Sequence, residues 1–93
     1  MMADKIKDLR ELYNLTQSDV AKSLEITRSS VNAWEMGIST PSTRCTVQLA
    51  RLFHVSVDYL LGIEHEMILD ISGLDSESVK ILTDMVQYMR GRS

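Results

Sequence analysis

The sequence predicts an all-α protein in which five short helices precede one C-terminal extension helix. Its composition, 44% hydrophobic and 25% charged with a single proline and few aromatic residues, is typical of a soluble helical protein. Apolar residues recur at spacings of three and four, and Ser, Thr or Asp stands before most of these periodic segments. At 93 residues, the chain is long enough for one small core and an appendage.

The first three helices are predicted from their apolar faces and their ends. Helix 1 is predicted over residues 4–13, with Asn14 as a left-handed stop. Helix 2 is predicted over residues 17–24 with Thr16 as its N-cap, and helix 3 over residues 28–36. Helix 3 has Thr27 as its N-cap and Gly37 as its stop, and the inward residues of the three helices are Ile6, Leu9, Arg10, Tyr13, Val20, Ala21, Leu24, Val31 and Trp34.

The rest of the chain is predicted to hold three more helices. Ser42 caps a helix that ends at His54, and Ser56 starts a short one closed by Gly62. The following segment alternates Met67, Leu69 and Ile71, which is a weak strand or linker signal. The last helix is predicted over residues 76–90, and its N-terminal signal consists of Leu74, the N-cap Asp75 and Val79.

The outward face of predicted helix 3 differs from an ordinary solvated helix surface, which usually carries Lys and Glu. It carries instead Arg28, Ser29, Asn32 and Ala33. Because so few residues separate helices 2 and 3, helix 3 must cross helix 2 and leave this face exposed. The pattern therefore favours a helix-turn-helix whose exposed helix fits the major groove of DNA, with a merely solvated surface as the alternative.

Several segments carry a family resemblance at matching spacing. They are TQSDVAKSLEITRSSVNAWEMG, the following TPS, and LARLFHVSVDYLLG. Together they resemble the Cro/C1-type (XRE-like) helix-turn-helix family of phage and bacterial repressors over residues 4–62. The resemblance implies a five-helix lambda-repressor-like DNA-binding domain in residues 1–63. It also implies a sequence-specific transcriptional regulator, most often a repressor, that reads a two-fold symmetric operator through helix 3.

The resemblance also implies roles for individual residues. The residues that contact bases are expected on the outer face of helix 3. There, Arg can hydrogen-bond to guanine, Asn to adenine and Ser to the edges of several bases, and Ala can contact the methyl group of thymine. These residues are Arg28, Ser29, Asn32 and Ala33. The implied phosphate contacts are Gln17, Ser39, Thr40, Thr43 and Arg44.

Two positions depart from the family pattern. The loop after Gly37 often carries Lys or Arg, but here begins with Ile38, which lowers the expected phosphate affinity. Glu25 stands where the family usually has glycine. If that position requires positive φ, Glu costs about 1 kcal/mol. Otherwise the turn follows a slightly different path.

Arg10 lies in the apolar stripe of helix 1, and a buried guanidinium requires a partner. Glu35 is the predicted partner, because an acid on the reading helix would otherwise repel phosphate. The family pattern supports this structural ion pair. The two residues are therefore expected to be energetically coupled.

The C-terminal part of the chain differs in charge from the rest. Residues 1–61 hold seven basic and seven acidic residues, whereas residues 62–93 hold three and six and account for the net charge of −3. Residues 64–93 are interpreted as a linker plus a dimerisation helix, whose stripe consists of Val79, Leu82, Val86 and Met89. The alternative is a helix that folds back on its own domain, with dimerisation left to helix 5 around Tyr59 and Leu60.

Other functional classes receive less support. The lone Cys45 permits no internal disulfide, and neither His54 nor His65 has a convincing catalytic or metal-binding partner. We therefore expect no enzyme activity, cofactor or metal. No apolar run approaches the roughly 20 residues that cross a membrane, so we expect a cytoplasmic protein that binds double-stranded DNA as a homodimer. An antitoxin or adaptor that uses the acidic tail to bind another protein remains the alternative.

Overall fold

The computed structural model describes residues 2–63 and 70–91, and the described residues form helices and loops without strands. The all-α prediction is confirmed. The helices are α1 (Met2–Leu12), α2 (Gln17–Leu24), α3 (Arg28–Glu35), α4 (Thr43–Phe53), α5 (Val57–Leu61) and α6 (Ser76–Gly91).

The N-terminal caps predicted for α2 to α6 are confirmed. The hydroxyl oxygens of Thr16, Thr27, Ser42 and Ser56 each accept a hydrogen bond from the backbone N–H three residues later. Asp75 does the same with its carboxylate, which accepts the Ser78 N–H at 2.8 Å. These bonds satisfy backbone donors that the first helical turn leaves unpaired.

The helix ends follow the expected left-handed positions, with small differences in length. Asn14 and His54 adopt φ values of 56° and 55°, and Gly37 has a φ of 73°. α1 begins two residues earlier than predicted and ends at Leu12, so Tyr13 lies in the turn that follows. α3 ends one residue earlier and α6 one residue later than predicted. Differences of this size are ordinary where helix ends fray.

One hydrophobic core joins α1 to α5. Trp34 and Phe53 are its largest aromatic members, and the ring of Tyr13 stacks on Phe53 with a centroid distance of 5.9 Å. The Tyr13 hydroxyl also donates to the Phe53 carbonyl at 2.9 Å. Tyr13, predicted to point inward from helix 1, is partly exposed. The core consists of Ile6, Leu9, Val20, Ala21, Leu24, Val31, Trp34, Cys45, Leu49, Ala50, Phe53, Val55 and Leu60.

Residues 70–91, the described C-terminal part of the chain, bury little of their surface. The Asp70 N–H donates to the His54 carbonyl at 3.3 Å. Ile71 is exposed and lies in no strand, whereas Met67 and Leu69, from the same predicted strand or linker, lie outside the described residues. α6 buries none of its residues, and its apolar side chains stay exposed or half-exposed.

Candidate nucleic-acid interface

The turn between α2 and α3 holds the two helices across each other. Glu25 adopts the left-handed conformation, with φ 57° and ψ 45°, so the chain follows the positive-φ path. The Ile26 N–H then donates to the Ala21 carbonyl at 2.9 Å, which closes the end of α2. Val31 and Trp34 point inward against α2, and the opposite face of α3 is left outward.

The outward face of α3 presents the predicted base-reading residues together. Arg28, Ser29 and Asn32 are exposed, and Ala33 is half-buried beside them. They lie in the first turns of a helix that ends after eight residues. A helix of this size enters the major groove with its N-terminal side chains next to base edges.

A buried ion pair anchors α3 to α1. The Arg10 Nε donates to Glu35 Oε2 at 2.7 Å, and its Nη2 donates to Glu35 Oε1 at 3.1 Å. The Arg10 and Glu35 side chains are 14% and 4% exposed, and the Arg10 Nη1 also donates to the Leu15 carbonyl at 2.8 Å. The hydrogen bond that Arg10 donates to Glu35 raises the pKa of Arg10, against the opposing effect of burial. The structure thus places the two residues paired in the sequence analysis in bidentate contact.

Gln17 extends this ion pair to the outward face. Its Nε2 donates to Glu35 Oε1 and to Asn32 Oδ1, both at 3.2 Å. Both amide protons therefore have acceptors within the protein, whereas the family resemblance implies that Gln17 contacts a phosphate. The contact between Gln17 and Asn32 was not predicted, because residues 15 positions apart on different helices share no sequence periodicity.

The loop after α3 and the start of α4 form the flank of this face. Ser39, Thr40, Thr43 and Arg44 are all exposed there. The Ser42 hydroxyl accepts the Cys45 N–H at 3.2 Å and so acts as the predicted cap. Hydroxyls, backbone amides and one guanidinium are thus available to phosphate oxygens on this side.

Other kinds of site find little support in the described part of the chain. Residues 2–63 and 70–91 contain no group of three or more His, Cys, Asp or Glu side chains that could hold a metal ion. Cys45 is a buried free thiol. None of the helices in these ranges is both long and apolar enough to cross a membrane.

Comparisons with known proteins agree with this geometry. The family model described as Helix-turn-helix matches residues 6–60, which is more than half of the chain. The chain belongs to this Cro/C1-type helix-turn-helix family. Members of the family are transcriptional regulators and not enzymes, so the prediction that this chain is not an enzyme is confirmed.

Individual relatives extend the comparison. The uncharacterized HTH-type transcriptional regulator YqaE of Bacillus subtilis is 29% identical over 93 residues, covering 99% of this chain and 76% of YqaE. The crystal structure of SinR, the master regulator for biofilm formation, in complex with DNA has a TM-score of 0.61 and 26% identity. That match covers 66% of this chain and 98% of the SinR chain.

A third similarity includes the C-terminal extension. The crystal structure of a transcriptional regulator from Listeria innocua has a TM-score of 0.66 and 25% identity, covering 96% of this chain and 94% of that chain. The predicted lambda-repressor-like fold with an additional C-terminal helix is confirmed.

Proposed function

We propose that this DNA-binding transcriptional regulator is a cytoplasmic, dimeric repressor that reads a two-fold symmetric operator through α3. The observation that carries the proposal is the exposed row at the start of α3, in which Arg28, Ser29 and Asn32 project together from a helix anchored on its other side. In this proposal residues 1–63 form the DNA-binding domain, and residues 64–93 form the linker and dimerisation helix.

The proposed contacts divide into two classes. Arg28, Ser29, Asn32 and Ala33 contact base edges and determine the sequence that is read. The flanking side chains contact phosphates and position the domain without distinguishing sequences. The proposed phosphate contacts are Ser39, Thr40, Thr43 and Arg44, with the backbone N–H of Gln17 at the start of α2, since the Gln17 side-chain amide is bonded within the protein.

The charge on this face predicts modest and only weakly salt-dependent affinity. Arg28 and Arg44 are its exposed cations within the proposed contact set, whereas Glu25 in the turn and Asp19 in the first turn of α2 are exposed anions. Each neutralised phosphate contributes about 0.9 to the slope of log affinity against log salt. A domain with few cations must therefore gain specificity from base contacts and from a second copy.

Dimerisation is proposed through the apolar stripe of α6. A single short helix reads few base pairs, so regulators of this geometry place two of them about 34 Å apart on one face of DNA. Leu82, Val86 and Met89 are 41%, 44% and 57% exposed, and Val79 is half-buried in the same stripe. In the alternative interface on α5, Leu60 is fully buried in the core and Tyr59 is half-buried against it, which favours α6.

Selection of bound sequences from random duplexes tests the proposal. Wild-type protein is expected to return a short two-fold symmetric site with a guanine in each half. Arg28→Ala should remove the guanine preference and cost about 1–3 kcal/mol on that site. Arg44→Ala should instead weaken all sequences alike and lower the salt slope by about one.

Arg51→Ala is the matched control, because Arg51 is an exposed arginine in the last turn of α4, at the end of the helix opposite the proposed contacts Thr43 and Arg44. It should change neither the selected site nor the affinity. Selection of asymmetric or random sequences, or an unchanged guanine preference in Arg28→Ala, would contradict the proposal. Stable copurification with a neighbour-encoded protein in place of a homodimer would favour the antitoxin or adaptor alternative.

A further inference from the structure

We propose that Gln17 and Glu35 are positioning residues that fix the orientation of the Asn32 side-chain amide, so that Asn32 presents one defined order of donor and acceptor to a base edge. This inference rests on the proposed function, because it concerns how the same face distinguishes one base from another. The Gln17 side chain then contributes to base specificity, whereas the family resemblance implies that Gln17 contacts a phosphate.

The relay is a continuous set of hydrogen bonds that starts inside the protein. Arg10 holds the Glu35 carboxylate with two bonds, at 2.7 and 3.1 Å. Gln17 Nε2 donates to the Glu35 Oε1 atom at 3.2 Å and to Asn32 Oδ1 at 3.2 Å. Glu35 is nearly fully buried, whereas Asn32 is exposed on the outward face of α3. The relay therefore joins the buried ion pair to a side chain that faces solvent.

The chemistry of the carboxylate determines the direction of each bond. An ionised Glu35 only accepts hydrogen bonds, so Gln17 must turn its NH2 group and not its carbonyl oxygen toward it. The NH2 group is planar with two protons, and the second one then points to Asn32 Oδ1. Rotating the Gln17 amide by half a turn would place its oxygen against a negative charge. The relay thus prevents the amide flip that a solvent-exposed glutamine undergoes freely.

The fixed Gln17 in turn determines how Asn32 faces the groove. With its Oδ1 held toward α2, Asn32 directs its Nδ2 protons away from Gln17 and keeps one lone pair of Oδ1 available. Adenine requires a donor for N7 and an acceptor for its N6 amino group, in that order. The relay supplies this order before DNA binds. The reversed order, which an unrestrained amide also samples, does not match adenine.

The environment of Gln17 argues against a purely stabilising role. Among the described residues, its Oε1 is buried and accepts no hydrogen bond from the protein. A buried carbonyl without a partner is unfavourable, so an apolar side chain of similar size would suit stability at least as well. Gln17 therefore contributes through its NH2 group.

The first test uses the DNA-free protein and is independent of any operator. Side-chain amide spectra and χ1 couplings measured by NMR should show one Asn32 rotamer in the wild-type protein. Gln17→Leu should give rotamer averaging of Asn32 while leaving the backbone spectrum of α2 and α3 folded. Ser18→Ala, an exposed neighbour in the same turn, is the control and should leave Asn32 unchanged.

The second test measures base preference with the selection described above. An unrestrained Asn32 samples two χ1 wells, because the third is rare within a helix, and two amide orientations, so about one state in four remains competent. Gln17→Leu should therefore reduce the preference for adenine about fourfold, at the single position in each half-site whose preference Asn32→Ala also removes. The guanine preference assigned to Arg28 should stay. Because Glu35→Gln also removes the ion pair with Arg10, it is measured under conditions in which circular dichroism shows the variant folded. It should then produce the same loss at the same position, because a neutral amide accepts either orientation of Gln17.

The outcomes separate the relay from other roles. A phosphate contact made by the Gln17 side chain would weaken all sequences equally in Gln17→Leu and leave the adenine preference intact, which would overturn the relay. Rotamer averaging of Asn32 already present in the wild-type protein would overturn it as well. If no sequence is selected at all, the proposed function fails, and the NMR comparison still decides whether Gln17 orients Asn32.

Discussion

The Glu35 carboxylate lies on the inner side of α3, where its charge is paired with the Arg10 guanidinium. Removing one partner leaves the other charge buried without compensation, which costs about 3–5 kcal/mol in comparable pairs. Replacing both partners by apolar residues of similar size removes that penalty. The two residues are therefore expected to be strongly coupled in stability.

Arg10→Met alone should lower the free energy of unfolding by about 3 kcal/mol, near the low end for buried pairs because Arg10 is 14% exposed. Arg10→Met combined with Glu35→Leu should cost less than the sum of the two single changes. Urea unfolding of the wild-type protein, the two single variants and the double variant measures the coupling free energy. Additive losses would show that the contact contributes no coupling.

The backbone geometry of Glu25 has a measurable consequence for stability. A left-handed conformation costs a residue with a Cβ roughly 1 kcal/mol relative to glycine, and Glu25 has φ 57°. Glu25→Gly should therefore raise the free energy of unfolding by up to about 1 kcal/mol, measured by urea titration.

Glu25→Ala serves as its control, because it removes the same charge but retains a Cβ and hence the strain. Equal stabilisation by Gly and Ala would attribute the effect to the charge and contradict the backbone explanation.

At the residue scale, the sequence predicted contacts that obey a charge rule and missed those that depend on tertiary placement. An arginine in the apolar stripe requires a carboxylate, and Glu35 was a conspicuous candidate. Nothing comparable identifies Gln17 as the neighbour of Asn32, since neutral amides have many acceptable partners. That contact follows only from the crossing of α2 over α3.

At the scale of the helices, short elements are delimited by side-chain chemistry at their ends. The positions that the sequence marks with Thr, Ser or Asp all begin helices in the structure. The start of α1 was misplaced by two residues because Met2 and Ala3 offer no capping side chain. Helix starts are thus predictable where a side chain supplies the missing hydrogen bond, and less so elsewhere.

The capping box at the start of α2, in which Thr16 and Asp19 cap each other, should make the stability of the fold depend on pH. Asp19 accepts the Thr16 backbone N–H at 2.8 Å, and this bond, followed by the one with the Thr16 side chain, holds the pKa of Asp19 below its ordinary value. Its folded pKa is lower than its unfolded pKa. The stabilisation is therefore fully present above the unfolded value, near pH 4, and is lost as pH falls through the folded value.

Asp19→Asn removes this titration while keeping a side-chain oxygen as acceptor. The thermal midpoint of the variant, followed by circular dichroism, should lie below that of the wild-type protein at pH 7. The difference should shrink as pH falls through the lowered folded pKa of Asp19, where the wild-type carboxylate becomes protonated as well. A difference that keeps the same size from pH 7 through the acidic range would contradict the assignment of Asp19 as an ionised cap.

At the scale of the whole molecule, the core and the candidate site lie in α1 to α5, and the acidic C-terminal part contributes exposed apolar surface. Every core residue lies between Ile6 and Leu60, and α6 buries none of its own. Sequence periodicity predicted the stripe on α6 but not its partner, because an apolar stripe has the same pattern whether it packs within one chain or between two.

Removal of residues 64–93 tests what this stripe binds. The shortened chain should remain folded and become monomeric in sedimentation equilibrium, whereas the full chain should be a dimer. Its helical circular dichroism should match α1 to α5, because these helices bury their core without α6. An unfolded or insoluble product would instead indicate that α6 completes the core of its own domain.

Single substitutions make the same test in the intact chain. Val86→Asp adds a charge within the stripe and should shift the dimer to monomer, since an unpaired charge is strongly disfavoured in an apolar interface. Gln87→Asp adds the same charge to an adjacent exposed position outside the stripe and should leave the dimer intact.

The Val86→Asp substitution should also affect DNA binding, because a symmetric site requires two linked copies of α3. Val86→Asp should therefore weaken operator binding while its affinity for a single half-site stays unchanged. Equal dissociation by both substitutions would show that net charge, and not the stripe, controls assembly.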